Sequence, residues 1–337
     1  MMMAIVVDDT ISYSTCPKLY KRVIDQLKSE IDFKDLGICK WFLGCRIDQT
    51  ENGTTVDQSA YVEAMLERYQ HIEMRLNKTP ARPYEVLKAP ETDCIPTDFP
   101  YQNIVGELLW LCKTRIDIAQ ATHQVCKFSA KHQKEHDDAV RYILGYLKRN
   151  PYSGIILGRN CKTWKHGDTI KISATSDASF ADDKSSRKST YGYFVEMMGS
   201  VISWQSKLTS HVALSTTEAE YVSISEAAKE AVHIKNVLSD FGFKVEDEMV
   251  IMNDNFPATQ WCKNACLTPK NKHIDLKYHY IRELVTSKII KVKHIYGTSN
   301  AADVLTKSLP KPLFDKCNMS FVADISSMRS RGDVLDT

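Results

Sequence analysis

No apolar run in the 337-residue sequence approaches the ~18 residues of a membrane-crossing helix, so none is expected. The opening residues, MMMAIVVDDT, lack the basic n-region of a secretory signal and turn acidic almost at once. The 10 cysteines are scattered, and only Cys262 and Cys266 lie close together, with no second pair at zinc-site spacing. That excludes a disulfide framework and a four-ligand zinc module. It leaves reduced, mostly buried thiols and an expected cytoplasmic or nuclear, non-secreted setting. Net charge is only +2, so the total does not announce a nucleic-acid binder. Repeats and low-complexity tracts are missing too.

What is present is ordinary globular composition, 43% hydrophobic and 26% charged, in a chain long enough for two or three domains of ~100–150 residues. "AIVVDDTISYS" reads as a strand entering an acidic turn, and a helix follows from Pro17 to Ile31, with proline near its first turn. The apolar run "WFLGCRI", the turn "ENG" and "TTVDQ" read as a hairpin, and 59–70 as a helix. Residues 77–100 hold Pro80, Pro83, Pro90, Pro96 and Pro100 and read as a linker. Apolar residues at helical spacing (Ile104, Leu108, Leu111; Ile118, Ala121, Val125; Val140, Leu144, Leu147) predict three helices over 101–149.

From Thr169 the period changes. "IKISATSD", "STYGYFVEM" and "GSVISWQSK" read as strands, with Gly199 at a turn, and a long helix is predicted from Ser215 to Phe241. The strand "EMVIMND", helices starting at Asn255–Pro257 and spanning Ile274–Thr286, the strand "KIIKVKHIY" and a last helix "NAADVLTKSL" ended by Pro310 complete an α/β unit. The tail after Pro312 reads as weakly ordered.

Four acids stand out by position. On a helical wheel, Glu220 is in line with the apolar stripe Ile224, Ala227, Ala228, Ala231 and Leu238, where an unpaired carboxylate is costly. Glu218 is rotated away, toward Val222, Ser225 and Lys229, and suits an N-terminal-turn acid favoured by the helix dipole. Asp177 and Asp254 end apolar strands, where α/β folds build sites, although turn or cap roles explain each singly. Asp303 sits inside the otherwise apolar "AADVLTK". Converging carboxylates repel unless divalent cations lie among them, which points to Mg²⁺ or Mn²⁺. Separately, Thr268 to His294 is rich in Lys and Arg, including Lys270, Lys272 and Lys277; a phosphate-facing patch and a solvated helix face both fit.

Five blocks between 170 and 312 resemble, in order, the ribonuclease H domain of copia-class retrotransposon Pol polyproteins: "SDASFADDKSSRKSTYGYFVEMMGSVISWQSK", "VALSTTEAEYVSISEAAKE", "NDNFPA", "KHIDLKYHYIRELV" and "NAADVLTKSLP". Upstream, "VVDDTISYS", "KDLGICKWFLGCRI", "YQNIVGELLWLCKTRIDIAQATHQVCKF" and "AVRYILGYLK" resemble the end of the palm and the thumb/connection of the reverse transcriptase of those elements. The resemblance implies an α/β, ribonuclease H-like mixed sheet with flanking helices over 168–312. Ahead of it come a partial α+β palm over 1–75 and a linker with helical thumb/connection over 76–165; behind it lies a weakly ordered tail over 313–337.

Carried over residue by residue, the family's metal ligands fall on Asp177, Glu220, Asp254 and Asp303, with two Mg²⁺ (or Mn²⁺) ions serving in-line hydrolysis of the RNA strand of an RNA–DNA hybrid. Lys270, Lys272, His273 and Lys277 become candidate nucleic-acid contacts, and other Pol segments are possible partners. The Asp8–Asp9 pair resembles a polymerase "YxDD" box with Val6 in the Tyr position. With no upstream third carboxylate and no fingers in the sequence, the chain reads as a truncated reverse transcriptase, and polymerisation by it alone is not expected. The loop before Asp303 carries Thr298 and Ser299 where many ribonuclease H enzymes have a histidine, and His294 lies earlier, in a predicted strand, where it reads as structural. The alternative reading is a catalytically silent nucleic-acid-binding or host-adapted interaction remnant. An integrase-like nuclease shares the fold class, but it is built on three acids and matches none of these blocks.

Overall fold

The computed structural model describes residues 1–50, 53–90, 97–158, 165, 167–263, 275–319 and 321–326. At the N-terminus, β1 (Met2–Val6) and β2 (Asp9–Tyr13) form an antiparallel hairpin, and α1 (Pro17–Glu30) starts on its proline and buries only Ile24. The run expected as one strand, "WFLGCRI", is itself a hairpin: β3 (Trp41–Phe42) and β4 (Cys45–Thr50) flank Leu43 and Gly44. Both turn residues have positive φ, 49° and 73°, as a tight two-residue hairpin turn requires. The expected second hairpin follows: β5 (Gly53–Asp57) pairs with β4, and α2 (Ser59–Arg68) buries Val62 and Met65.

The start of the proline-rich segment is tied to the helical unit. Asn77 donates its backbone N–H to Gly145 O at 3.3 Å and its side-chain amide to Tyr142 O at 2.9 Å. The predicted helices are present as α3 (Tyr101–Leu111), α4 (Ala119–Cys126) and α5 (Lys134–Arg149), and all nine apolar positions named above are buried. Next comes β6 (Ser153–Leu157), a strand not foreseen from sequence. It extends the β3–β4–β5 sheet by pairing with β5.

The following strands are β7 (Ile172–Ser179), β8 (Thr190–Met197) and β9 (Ser200–Leu208); Met198 and Gly199, at φ 53° and 77°, make the expected turn. Helix α6 (Thr216–Asp240), β10 (Met249–Asn253), α7 (Phe256–Lys263), α8 (Asp275–Thr286) and β11 (Ile290–His294) complete a mixed sheet of order β11-β10-β7-β8-β9. β7, β10 and β11 run parallel, and β8 and β9 are antiparallel. Ile172, Val195, Ile224, Ala228, Ile251 and Val292 make its core against α6. A second core joins α2–α5 to Phe194 and Val201 on the other sheet face.

Two expectations for the C-terminal part are corrected. "NAADVLTKSL" forms a short 3-10 turn, Ala301–Leu305, because the Asn300 side chain caps Ala302 N–H and Asp303 O takes both Thr306 and Lys307 N–H groups. Pro310 caps a further helix, α9 (Lys311–Asn318), instead of ending one. The described residues of the expected tail after Pro312, 313–319 and 321–326, pack onto the protein, and 327–337 lie outside the described residues. Phe314, Phe321 and Ile325 are buried, and β12 (Ala323–Asp324) pairs with β6. Burial of two phenylalanines and an isoleucine supplies the ordering free energy, roughly 1.5–3 kcal/mol for each side chain.

Candidate metal centre

Asp177 projects from β7, in the middle of the mixed sheet, and Asp254 follows the end of β10. Met252 pairs with Thr175, so two residues on, in the same register, Asp254 comes beside Asp177. Glu220 enters from the second turn of α6, as the wheel predicted. Oxygens of Asp177, Glu220 and Asp254 all lie within 4.8 Å of one another, and this is the group of metal-capable acids among the described residues. Asp177 and Glu220 are buried, and Asp254 is half-buried.

Asn253 organises this cluster. Its Nδ2 donates to Glu220 Oε2 at 2.9 Å and to Ser176 O at 3.1 Å, while its Oδ1 accepts from Asn255 N–H at 2.9 Å. Ser223 donates to Asp177 O at 2.8 Å, fixing α6 to β7 one turn beyond Glu220. Asp303, the fourth expected acid, is turned toward a lysine: Lys307 Nζ lies 2.5 Å from Asp303 Oδ1 and 3.3 Å from Asp177 Oδ2. Thr306 donates its hydroxyl to Asp177 Oδ2.

The electrostatics follow from burial and like charge. Glu220 is pushed up to about 9, by burial first and then by Asp177; Asp254 is raised for the same two reasons. Asp303 is pushed up to about 6, again by burial and Asp177, despite Lys307. Burial alone would lower the lysine, but Asp177 and Asp303 outweigh it and hold Lys307 above its ordinary value. Added positive charge would ease the ionisation of Glu220, Asp254 and Asp303.

Glu218 differs from expectation in one respect. It is an N-terminal-turn acid, with Ser215 accepting its N–H at 3.2 Å and its own Oε2 accepting Leu214 N–H at 2.8 Å. It is nevertheless buried, as are Val222 and Ser225 on its side, so the apolar stripe of α6 is wider than the wheel implied. Asp8 and Asp9 lie exposed at the tip of the β1–β2 hairpin and take no part in the cluster. His294 Nε2 lies 3.0 Å from Asp254 O, beside the Phe256 ring, consistent with a structural place. Lys270, Lys272 and His273 lie outside the described residues, and Lys277 lies in α8. Asn253, Thr306 and Lys307 were not singled out from sequence. The amides flanking Asp254 in "NDN", and the lysine four residues after Asp303, were the available signals.

The mixed sheet of this strand order, crossed by α6 and carrying acids from β7, α6 and the end of β10, defines a ribonuclease H-like fold. No family model matches the chain. It is 35% identical over 322 residues to the retrovirus-related Pol polyprotein from transposon TNT 1-94 of Nicotiana tabacum, covering 92% of this chain and 23% of that protein. Against the corresponding polyprotein from transposon RE1 of Arabidopsis thaliana it is 33% identical, covering 93% and 21%. A putative transposon Ty5-1 protein of Saccharomyces cerevisiae is 30% identical over 67% of this chain and 72% of its own length. The chain therefore belongs to the copia-class, retrovirus-related Pol polyproteins of transposons, and it spans less than a quarter of the first two. Among solved structures, the foamy viral protease-reverse transcriptase in complex with dsDNA shares the fold at 13% identity and TM-score 0.50, over 88% of this chain and 55% of that one.

Proposed function

We propose that this chain is a metal-dependent endonuclease that hydrolyses the RNA strand of RNA–DNA hybrids, with Asp177, Glu220, Asp254 and Asp303 as its ligands for two Mg²⁺ or Mn²⁺ ions. The observation that carries the reading is the approach of three buried or half-buried carboxylates to within 4.8 Å, from separate elements of a ribonuclease H-like sheet. Three carboxylates this close repel one another, and Lys307 pairs with only one of them, Asp177. Bound divalent cations would supply an acidified attacking water and offset the charge growing on the leaving 3′ oxygen.

The protein's own residues do the positioning. Asn253 donates to Glu220 Oε2 and holds that carboxylate toward Asp177 and Asp254. Thr306 fixes one oxygen of Asp177, and Ser223 ties the backbone of Asp177 to α6. Rigid ligands of this kind lower the cost of assembling the site around a phosphodiester. Selection of RNA over DNA would come from contacts to 2′-hydroxyl groups, with Lys270, Lys272, His273 and Lys277 as phosphate-side contacts.

We assign 1–75 to a palm part, 76–165 to a linker and thumb/connection, and 168–312 to the nuclease domain. Other Pol segments are proposed as partners, in the cytoplasm or nucleus. The test is cleavage of an end-labelled hybrid beside the same RNA as single strand and duplex, with Mg²⁺, with Mn²⁺ and with EDTA. Hybrid-selective, metal-dependent cutting that disappears in Asp177→Asn and Asp254→Asn is expected. Cutting that survives both substitutions would overturn the assignment, and gel-shift binding without any cutting would favour a silent binding remnant.

A further inference from the structure

Lys307 is the one feature of the site for which the proposed hydrolysis has no use. Its ammonium lies 3.3 Å from Asp177 Oδ2, 3.5 Å from Asp177 Oδ1 and 2.5 Å from Asp303 Oδ1. Both oxygens of Asp177 thus face one cation already, and Oδ2 also accepts the Thr306 hydroxyl. The backbone beneath the lysine is pinned. Leu305 and Thr306 rest directly on Gly192 of β8, and Lys307 N–H bonds to Asp303 O at 2.9 Å. The side chain itself is 41% exposed, so the head group can leave without unfolding anything. A flexible, strongly hydrated ammonium on a fixed stem is suited to a reversible contact.

We propose that Lys307 is a positioning residue that acts as a built-in counter-cation, holding Asp177 and Asp303 together and competing with a second divalent ion for the space between them. The inference rests on the metal-site reading above. Two positive groups within ~4 Å of one another repel strongly in a half-buried setting, so ion and ammonium exclude each other from the Asp177–Asp303 edge. Lys307 makes its ion pairs and hydrogen bonds with Asp177 and Asp303, so it opposes an ion less directly on the face formed by Asp177, Glu220 and Asp254. Metal binding should therefore fall into two classes, one tighter and one weakened by the lysine.

The test uses the whole chain, with Mn²⁺ as the probe, read by the loss of its free-ion electron paramagnetic resonance signal. Thermal melts with and without Mn²⁺ accompany the titration, for wild type, Lys307→Met and Lys307→Arg. Lys307→Met should melt lower than wild type without metal and bind the second Mn²⁺ about tenfold more tightly, because the competing charge is gone. Lys307→Arg keeps a cation and should stay close to wild type in both measurements.

A merely structural lysine would lower the melting temperature on substitution without tightening Mn²⁺ binding, and that result overturns the inference. So does a weaker second class in Lys307→Met. Mn²⁺ bound as described in a protein that cuts no hybrid would defeat the nuclease reading and leave this inference standing. No Mn²⁺ bound by any of the three proteins would defeat both.

Discussion

Asn253 donates from Nδ2 to Oε2 of Glu220 at 2.9 Å, so the end of β10 and the second turn of α6 share one buried hydrogen bond at the carboxylate cluster. This bond separates the two glutamates of "LSTTEAEYVS" by partner where burial does not, since both are buried. Glu218 bonds backward, to Leu214 N–H. Glu220→Gln should drop hybrid cleavage by at least about a hundredfold, the scale expected when an electrostatic group of a phosphoryl-transfer site is lost. Glu218→Gln keeps an oxygen able to accept the Leu214 N–H and should cut within a few-fold of wild type. Single-turnover cleavage of a labelled hybrid decides the matter, and an inactive Glu218→Gln beside an active Glu220→Gln would reverse the assignment.

The raised acids predict an unusual pH dependence. Glu220, at about 9, and Asp303, at about 6, hold protons in the folded state that ordinary carboxylates release near pH ~4. Groups raised in this sense contribute stability that is complete below the unfolded value and is lost as pH rises through the folded value. Metal-free protein should therefore lose stability between about pH 4 and 9 from this source, and the rise in melting temperature on adding Mn²⁺ should grow over the same span. Glu220→Gln should flatten both trends. Melts in EDTA and in Mn²⁺ across that range supply the check, and an Mn²⁺ increment independent of pH would contradict the charge argument.

Much of this was legible because periodicity reports burial directly. The spacing of Ile104, Leu108 and Leu111, and of Val140, Leu144 and Leu147, placed α3 and α5 with their buried faces correct. The succession of strands and helices along the C-terminal α/β unit and the inward phase of Glu220 were accessible for the same reason. What stayed hidden depends on partners distant in sequence. β6 is five residues long, and its neighbours are β5 and β12, the latter some 170 residues away. Phe314, Phe321 and Ile325 look like part of a loose tail until those surfaces exist to cover them. Glu218 was read as off the buried stripe because a single-stripe wheel cannot foresee a helix covered on two sides. "NAADVLTKSL" has helical spacing, yet Asn300 and the double acceptance by Asp303 O tighten it into a 3-10 turn.

A fully buried ion pair anchors the helical unit. Arg115 bonds Asp117 through Nε at 2.9 Å and Nη2 at 2.8 Å, and Tyr146 donates to Asp117 Oδ2 at 2.7 Å. Nη1 of the same arginine reaches Asn150 O at 3.0 Å, tying the start of α4 to the end of α5. Asp117→Ala would leave the guanidinium buried without its counter-ion and should cost about 3–5 kcal/mol. Tyr146→Phe removes one neutral donor to a charged acceptor and should cost about 1.5–3 kcal/mol. Urea unfolding measures both, and a loss below ~1 kcal/mol for Asp117→Ala would show that water replaces the carboxylate.

Gly192 stands opposite Asp177 in the β7–β8 register, and its missing side chain sets how closely the last segment of the site approaches. A Cβ there would come within 2.6 Å of Leu305 Cβ, 3.0 Å of Thr306 Cγ2 and 3.2 Å of the Leu305 carbonyl carbon. Leu305 is fully buried, so it has no free volume into which to retreat. Gly192→Ala must then lift 305–307 off the sheet, which withdraws the Thr306 hydroxyl and the Lys307 ammonium from Asp177 together. Overpacking of this kind costs about 1–3 kcal/mol, and hybrid cleavage should fall with it because Asp177 loses the Thr306 hydroxyl that fixes its Oδ2. Thr306→Val removes only the hydroxyl at nearly constant volume, and should reduce cleavage with a smaller loss of stability. Melting and single-turnover cleavage on the two variants separate displacement of the segment from loss of one bond. Should Gly192→Ala melt and cut like wild type, the close approach of Leu305 and Thr306 to β8 would have no part in holding Asp177.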